Sequence, residues 1–229
     1  LRLGFTKEEN VEVIYNGVSN TLVGSAPKTA YPSFVYLGRL KEYKNIDIAI
    51  KAFANLVKEF PTAKLSIVGS GEQGETLKQL VTKLHISDSV SFLGRVNEQT
   101  KVTLLTQSWA MVQPSQIEGW GITVIESNAA GTPVIASRVN GLQDSVVDGK
   151  TGILVQVKNI NQFFEAMQKI SRDASYRNAL SQNAYLWSKN FSWSRSAELF
   201  YNLMGRNIQS TKNTSLRGAD AIATKQSLS

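Results

Sequence analysis

The feature that most constrains the fold of this chain is a regular alternation of short strand-like runs with amphipathic segments. The runs typical of buried parallel strands lie at 34–38, 64–68, 90–93, 110–112, 134–136 and 153–155. Segments with helical spacing of apolar residues separate or follow them, at 43–60, 98–107, 122–130, 159–171, 175–189 and 194–204, with a further helix between the second and third runs. Repeated strand–helix units of this kind predict an α/β domain with a parallel sheet, right-handed crossovers and helices on both faces.

The two ends of the chain depart from this alternation. Residues 11–18 predict a short strand that ends in an Asn-Gly turn, and a polar stretch follows it up to Pro32. We therefore divide the chain into a lead-in and linker at 1–30 and a folded domain at 31–205. Residues 206–229 are rich in Ser, Thr, Asn and basic side chains and predict a disordered tail.

Glycines and polar side chains follow four of the predicted strands. They are Gly38-Arg39, Gly69-Ser70-Gly71, Gly94-Arg95 and Pro114-Ser115. Ligands of such sheets bind beyond the carboxyl ends of the strands, so a binding site is expected at this edge. A loop such as Gly69-Ser70-Gly71 can cradle a phosphate or a sugar, and it can also serve merely as a turn.

The densest motif runs from Glu118 to Glu126 with the sequence Glu-Gly-Trp-Gly-Ile-Thr-Val-Ile-Glu. Its two glycines are expected to take positive φ values on a tight loop ahead of the helix at 122–130. The unpaired amides of the first helical turn favour an anion, and the carboxylates on either side accept hydrogen bonds from hydroxyls. A ligand with a central phosphate and hydroxyls on both sides would suit this layout.

Together with Gly131-Thr132-Pro133-Val134-Ile135, this motif resembles the signature of the retaining glycosyltransferases of family four, which have the GT-B fold. Gly38-Arg39-Leu40, followed by Lys44-Asn45, resembles a second element of the same family. The resemblance covers about residues 11–204 and implies the C-terminal, donor-binding half of such an enzyme, a Rossmann-like domain. It implies that 1–30 is an interdomain lead-in and linker and that 31–205 is a nucleotide-sugar-binding domain. It implies transfer of a hexosyl unit from a UDP- or GDP-sugar with retention, in a longer protein that adds an N-terminal acceptor-binding domain. The isolated chain is then expected to be inactive.

The resemblance also implies roles for individual residues. Arg39 and Lys44 would bind the donor diphosphate, Glu118 the hydroxyls of the sugar and Glu126 those of the ribose. Arg39, Lys44 and Glu118 are the residues expected to act in catalysis. The other expected donor contacts are Gly38, Gly69, Gly71, Arg95, Val96, Gly119, Gly121, Ile122 and Thr123.

Composition excludes several kinds of site. The chain has no cysteine and only one histidine, His85, which excludes thiolate and multi-histidine metal sites. An Asp-x-Asp motif is also missing from the sequence, so neither a metal nor another cofactor is expected. Of the net charge of +7, the segment 206–229 carries +3, which leaves a modest +4 on the remainder. No apolar run approaches the ~20 residues of a membrane span, and a cytoplasmic location is expected, with peripheral contact at the inner membrane face left open.

Three alternatives remain at this level. The chain could be a non-catalytic nucleotide-sugar-binding module or subunit, a basic protein of nucleic acid or membrane surfaces, or a sugar-nucleotide epimerase of similar fold. Nucleic acid is disfavoured as a partner because Trp187, Phe191 and Trp193 are not interleaved with basic residues as stacking platforms are. The sugar, the base and the acceptor stay open.

Overall fold

The computed structural model describes residues 12–18 and 26–205. The chain divides into a larger compact unit, Val18–Asn190, and a smaller one that combines Leu1–Gly17 with Phe191–Ser229. The tail predicted at 206–229 lies outside the described residues. The predicted domain limits at residues 30 and 205 stay predictions.

Six parallel strands form one sheet in the larger unit. They are β1 Ser33–Leu37, β2 Lys64–Val68, β3 Val90–Gly94, β4 Ala110–Gln113, β5 Val134–Ser137 and β6 Gly152–Val155. Their order across the sheet is β3-β2-β1-β4-β5-β6. In register, Phe34 of β1 lies opposite Leu65 of β2 on one side and Ala110 of β4 on the other. This arrangement confirms the predicted Rossmann-like α/β class.

Seven helices of the larger unit connect or follow these strands in the part of the chain that the structure describes. They are α1 Ile46–Glu59, α2 Gly74–Lys83, α3 Glu98–Gln107, α4 Ile122–Ala129, α5 Leu142–Ser145, α6 Ile160–Arg172 and α7 Ala174–Ser188. An eighth helix, α8, spans 193–205 in the smaller unit. Among the described residues, none of the helices has both the length and the apolar character that crossing a membrane requires.

The strands bury side chains on both faces of the sheet, and each face has its own apolar cluster. Phe34 and Tyr36 of β1 pack with α1, α2, α6 and α7, whereas Val35 between them packs in a second cluster with residues of α3, α4 and α5. Alternation along a strand sends successive side chains to opposite faces, so both faces need a helical cover. The prediction of helices on both faces is confirmed.

Two local predictions were wrong. Residues 12–17 form no strand, and only an isolated bridge residue, Val18, is assigned there. The helix expected over 43–60 is interrupted at its start, because a 3-10 turn at Glu42–Lys44 is followed by Asn45 with a φ of 48°. Asparagine tolerates this left-handed conformation, and α1 therefore begins only at Ile46.

The outer edge of β6 is covered by groups from nearby turns. The backbone N–H of Leu154 donates to Oδ1 of Asp148 at 2.9 Å, and the carbonyl of Leu154 accepts from Arg138 at 3.2 Å. The N–H of Gly149 donates to the carbonyl of Gly152 at 2.8 Å. Backbone groups at this edge are therefore already hydrogen-bonded.

The smaller unit is held by contacts between its two segments. The ring of Tyr15 meets Phe191 edge to face, with ring centroids 6.1 Å apart. The hydroxyl of Ser196, on α8, donates to the carbonyl of Tyr15 at 2.7 Å.

Candidate functional site

The strand order reverses between β1 and β4. From β1 the chain continues outward to β2 and β3, whereas β4 leads to β5 and β6 in the opposite direction. The loops after β1 and β4 therefore part from each other, which is where ligands of open α/β sheets bind. The Glu118–Glu126 motif follows β4, and Gly38-Arg39 follows β1.

A pocket of about 380 Å³ lies at the carboxyl ends of β1, β2 and β3, next to α3 and α4. The predicted contacts that line it are Gly38, Arg39, Gly69, Arg95, Val96, Thr123 and Glu126. The predicted contacts that do not line it are Lys44, Gly71, Glu118, Gly119, Gly121 and Ile122. The structure thus brings two guanidinium groups, two glycine loops, the first turn of α4 and one carboxylate to a single pocket, with Glu118 and Lys44 outside its walls.

Arg39 stands at the rim of the pocket with its side chain exposed. Its Nη2 donates to the hydroxyl of Tyr43 at 2.7 Å. The guanidinium has further N–H groups, so this bond leaves donors for an anion such as a diphosphate.

Beneath the same loop lies Tyr36, a buried residue of β1 that sequence reasoning did not select. Its hydroxyl donates to the carbonyl of Arg39 at 2.9 Å. Burial raises the pKa of Tyr36 above its ordinary value, and the nearby charge of Glu118 and the Tyr43 hydroxyl raise it further. Tyr36 therefore stays protonated and remains a donor that supports the loop carrying Arg39.

Lys44 and Glu118 form an ion pair in which both side chains are mostly buried. Nζ of Lys44 lies 2.5 Å from Oε1 of Glu118, and the two side chains are 9% and 13% exposed. The 3-10 turn and the left-handed Asn45 set the position of Lys44 just ahead of α1. The ammonium thus compensates the carboxylate across the gap between the loops after β1 and β4.

Two buried side chains at the end of β4 also donate to Glu118. Nε2 of Gln113 lies 2.6 Å from Oε1 of Glu118, and Oγ of Ser115 lies 2.9 Å from the same oxygen. Because three donors meet at Oε1, that oxygen is held in place. The second carboxylate oxygen is the one that a ligand hydroxyl could use.

The glycines after β2 are required by the packing of two neighbouring loops. A Cβ on Gly69, where φ is 133°, would lie 1.8 Å from the carbonyl oxygen of Gly38. A Cβ on Gly71 would lie 2.3 Å from the carbonyl oxygen of Leu40. These glycines therefore let the loop after β2 lie directly against the loop after β1, whether or not a ligand is bound.

The start of α4 is shaped by Gly121, which has a φ of 69° and precedes the first helical residue. A Cβ there would come within 2.9 Å of Leu142, so both conformation and space favour glycine. Gly119 lies outside the left-handed region, so the positive φ expected for it was wrong. Thr123, in the first turn of α4, lines the pocket.

Glu126 is bound to a lysine that the sequence did not single out. Nζ of Lys101 lies 2.7 Å from Oε1 of Glu126 and 2.9 Å from Oε2 of Glu98. Lys101 and Glu126 both line the pocket. On the neighbouring wall, Nε of Arg95 donates to Oγ of Ser70 at 3.1 Å, which joins the loops after β3 and β2.

The residues that sequence reasoning missed are Tyr36, Lys101 and Gln113, whereas Ser115 was placed at this edge of the sheet but given no role. Gln113 and Ser115 carried a usable signal, because they are polar residues at the end of an apolar strand. Lys101 lies in a helix of mixed composition, and nothing in its spacing distinguishes it from surface lysines. Among the described residues, the structure shows no cluster of three His, Cys, Asp or Glu side chains suited to a metal ion.

Comparison with known proteins decides the family. Residues 23–187 match the profile described as glycosyl transferases group 1. The chain belongs to this family. The match includes every predicted donor contact and all six strands.

The chain is also similar to other proteins in sequence and to solved structures in fold. This group 1 glycosyltransferase chain is 30% identical over 183 residues to an uncharacterized glycosyltransferase of Methanocaldococcus jannaschii, a match that covers 80% of this chain and 50% of that protein. It superimposes on the sucrose-phosphate synthase of Thermosynechococcus elongatus with a TM-score of 0.77 and 27% identity, over 87% of this chain and 53% of the synthase. HepE of Anabaena, in complex with UDP-glucose, gives a TM-score of 0.78 at 21% identity, over 88% of this chain and 59% of HepE. The chain spans about half the length of the relatives it matches.

Proposed function

We propose that this chain is the donor-binding half of a retaining glycosyltransferase of family four. It binds a UDP- or GDP-sugar, and the complete protein transfers the hexosyl unit to an acceptor. The observation that carries the proposal is the pocket at the carboxyl ends of β1, β2 and β3, which combines Arg39, Thr123 in the first turn of α4 and Glu126. The group 1 family match and the similarity to HepE, whose structure contains UDP-glucose, support the same conclusion.

The proposed donor lies across the first turn of α4. Its diphosphate accepts from Arg39 and from the amides of Ile122 and Thr123, where the helix dipole favours negative charge. On the nucleoside side, Glu126 accepts from the ribose hydroxyls, and the base lies near Arg95 and Val96. The sugar lies towards Glu118, the carboxylate on the loop ahead of the helix.

Charge develops on the leaving diphosphate during transfer, and Arg39 with the α4 amides would stabilise it. Lys44 contributes in two ways in this proposal. Its ammonium has three donors, so it can hold Glu118 and still donate to a phosphate oxygen. In the front-face mechanism implied by the family resemblance, the departing phosphate takes the acceptor proton, and a protein nucleophile is not required.

The acceptor is proposed to bind to a further domain of the complete protein. The 229-residue chain would then bind the donor without transferring its sugar, because positioning of two reactants contributes up to ~7–11 kcal/mol to such a reaction. A cytoplasmic location, with contact to the inner membrane face, is part of the same proposal.

Calorimetric titration of the 229-residue chain with UDP, GDP and their glucose conjugates tests the proposal directly. Arg39→Ala should weaken binding of the preferred diphosphate by about 1.5–3 kcal/mol, the range for hydrogen bonds to charged groups. Arg172→Ala is a matched control, because Arg172 is an exposed residue of α6 paired with Glu59 away from the pocket. Absence of affinity for every nucleoside diphosphate would overturn the proposal.

A further inference from the structure

We propose that Lys101 is a positioning residue that holds Glu126 in the orientation needed to accept the ribose hydroxyls of the donor. The inference rests on the proposed function, since it assigns a supporting residue within the same donor site. Lys101 acts through Glu126.

The ammonium group of Lys101 lies between two carboxylates and is paired with both. Its Nζ lies 2.7 Å from Glu126 and 2.9 Å from Glu98, and the side chains of Lys101 and Glu126 are only 16% and 18% exposed. Glu98, by contrast, is 68% exposed. The inner bond is therefore the one shielded from solvent, where a charge-assisted hydrogen bond restrains a side chain most strongly.

Lys101 is itself well anchored. It lies in the first turns of α3, whose N-cap residue Asn97 accepts from the amide of Thr100 at 2.8 Å. Glu126 projects from a different helix, α4, so the bond ties the two helices together across the pocket. Only Oε1 of Glu126 is bonded to Lys101, which leaves the other oxygen available to a vicinal diol.

The other charged side chains that line the pocket with Glu126 are all cations. Besides Lys101, the charged residues lining the pocket are Arg39 at the end of β1 and Arg95 after β3, and both are cations. Burial acts to lower the pKa of Lys101, but the hydrogen bonds to Glu126 and Glu98 outweigh it, and its pKa is raised above the ordinary value. Lys101 therefore stays charged at every pH at which the site is expected to operate.

The test compares UDP with 2′-deoxy-UDP, which lacks one of the hydroxyls that Glu126 is proposed to bind. Wild-type chain should prefer UDP, and Lys101→Met should reduce that preference by roughly tenfold, the scale of one charge-assisted hydrogen bond. Lys101→Arg should restore most of the preference.

Controls separate positioning from a merely structural role. Glu98→Gln removes the exposed partner and should leave the preference for UDP unchanged. General loosening of the fold would lower affinity for both nucleotides equally and would leave their ratio intact, which would overturn the inference.

Lys101→Gln keeps a donor without charge and serves if the methionine variant does not fold, with the same reduced preference expected. If the wild-type chain binds neither UDP nor 2′-deoxy-UDP, the proposed function is wrong. If the wild-type chain prefers UDP and Lys101→Met shows the same preference, only the role of Lys101 is wrong.

Discussion

Nζ of Lys44 and Oε1 of Glu118 lie 2.5 Å apart although 74 positions separate them in the chain. This pair joins the loops after β1 and β4, the two neighbouring strands whose connections run in opposite directions. Its burial means that each charge depends on the other.

Removal of one partner of this pair should destabilise the fold strongly. Lys44→Met should lower the free energy of unfolding by about 3–5 kcal/mol, because a mostly buried carboxylate loses its counter-charge. The double variant Lys44→Met/Glu118→Gln should cost clearly less than the sum of the two single changes. Urea denaturation monitored by tryptophan fluorescence measures these differences.

Lys51→Met is the matched control for that experiment. Lys51 pairs with Asp47 at 2.8 Å, but those side chains are 38% and 40% exposed. Solvent-exposed pairs contribute about 0–1 kcal/mol, so this variant should be nearly as stable as the wild type. Additive effects of the Lys44 and Glu118 substitutions would contradict the coupling of the pair.

The two carboxylates of the motif should affect ligand binding differently. Glu126→Gln should weaken UDP and UDP-glucose alike, by roughly 1–3 kcal/mol, because both ligands carry the ribose. Glu118→Gln should weaken UDP-glucose and leave UDP nearly unchanged, because only the conjugate reaches the sugar side. Calorimetry at a temperature where both variants are folded gives the four affinities. Equal shifts for the two ligands in both variants would contradict the two-sided assignment.

Gly69→Ala should be far more costly than the same change at Gly94. The new Cβ at Gly69 would lie 1.8 Å from the carbonyl oxygen of Gly38, whereas nothing lies within 4 Å of a Cβ at Gly94. We expect a loss of more than about 3 kcal/mol for Gly69→Ala, a size that only severe packing faults reach. Gly94→Ala should cost about 1–2 kcal/mol, from its positive φ of 63° alone. Thermal unfolding of the two variants tests the difference, and similar losses would show that the loops do not pack as described.

Lys28 should make stability depend on pH above neutrality. Burial lowers the pKa of Lys28 from 10.5 to about 7, and the positive charge of Arg177 adds to this effect. Between these two values the unfolded state binds more protons than the folded state, so stability should rise as pH increases from about 7 to 10. Below pH 7 Lys28 is charged in both the folded and the unfolded state, so the full free-energy cost of burying its charge lowers the stability of the fold.

Lys28→Met should flatten that dependence. The variant loses the hydrogen bonds to the carbonyl of Ser108 and the hydroxyl of Thr132, but it buries no charge. The difference between wild type and variant should therefore change by on the order of 1–3 kcal/mol across this pH range, measured by urea denaturation in steps of pH. Parallel stability curves for the two proteins would refute the assignment to Lys28.

The alternation of strands and helices could be predicted because it depends on local patterns. The bounds of β2 and α3 were correct to the residue, since Pro61 and the glycines after Val68 delimit one and Asn97 caps the other. The interruption at Asn45 was missed, because the apolar spacing of α1 continues through it. A helical pattern indicates which residues can share a face of a helix. It does not indicate where the chain must leave the helical conformation to form a loop that contacts another strand.

The motif residues of the site could be recognised from the sequence, but the ion pairs that they form could not be predicted. Glycine, arginine and glutamate positions follow from local sequence, and several of them line the pocket. Their contacts with a donor stay predictions. The bonds of Glu118 to Lys44 and of Glu126 to Lys101 depend on which strands are neighbours. Strand order is a property of the whole sheet, and the alternating pattern is compatible with more than one order.

The hydrogen bonds at Leu154 have a consequence for how this protein meets other chains. An extended peptide needs a row of vacant N–H and C=O groups in order to join a sheet as an additional strand. At β6 those of Leu154 are already taken by Asp148 and Arg138, residues of the same molecule. This edge of the sheet is therefore protected from pairing with a strand of another copy of the protein. The protection matters most when newly made chains are present at high local concentration.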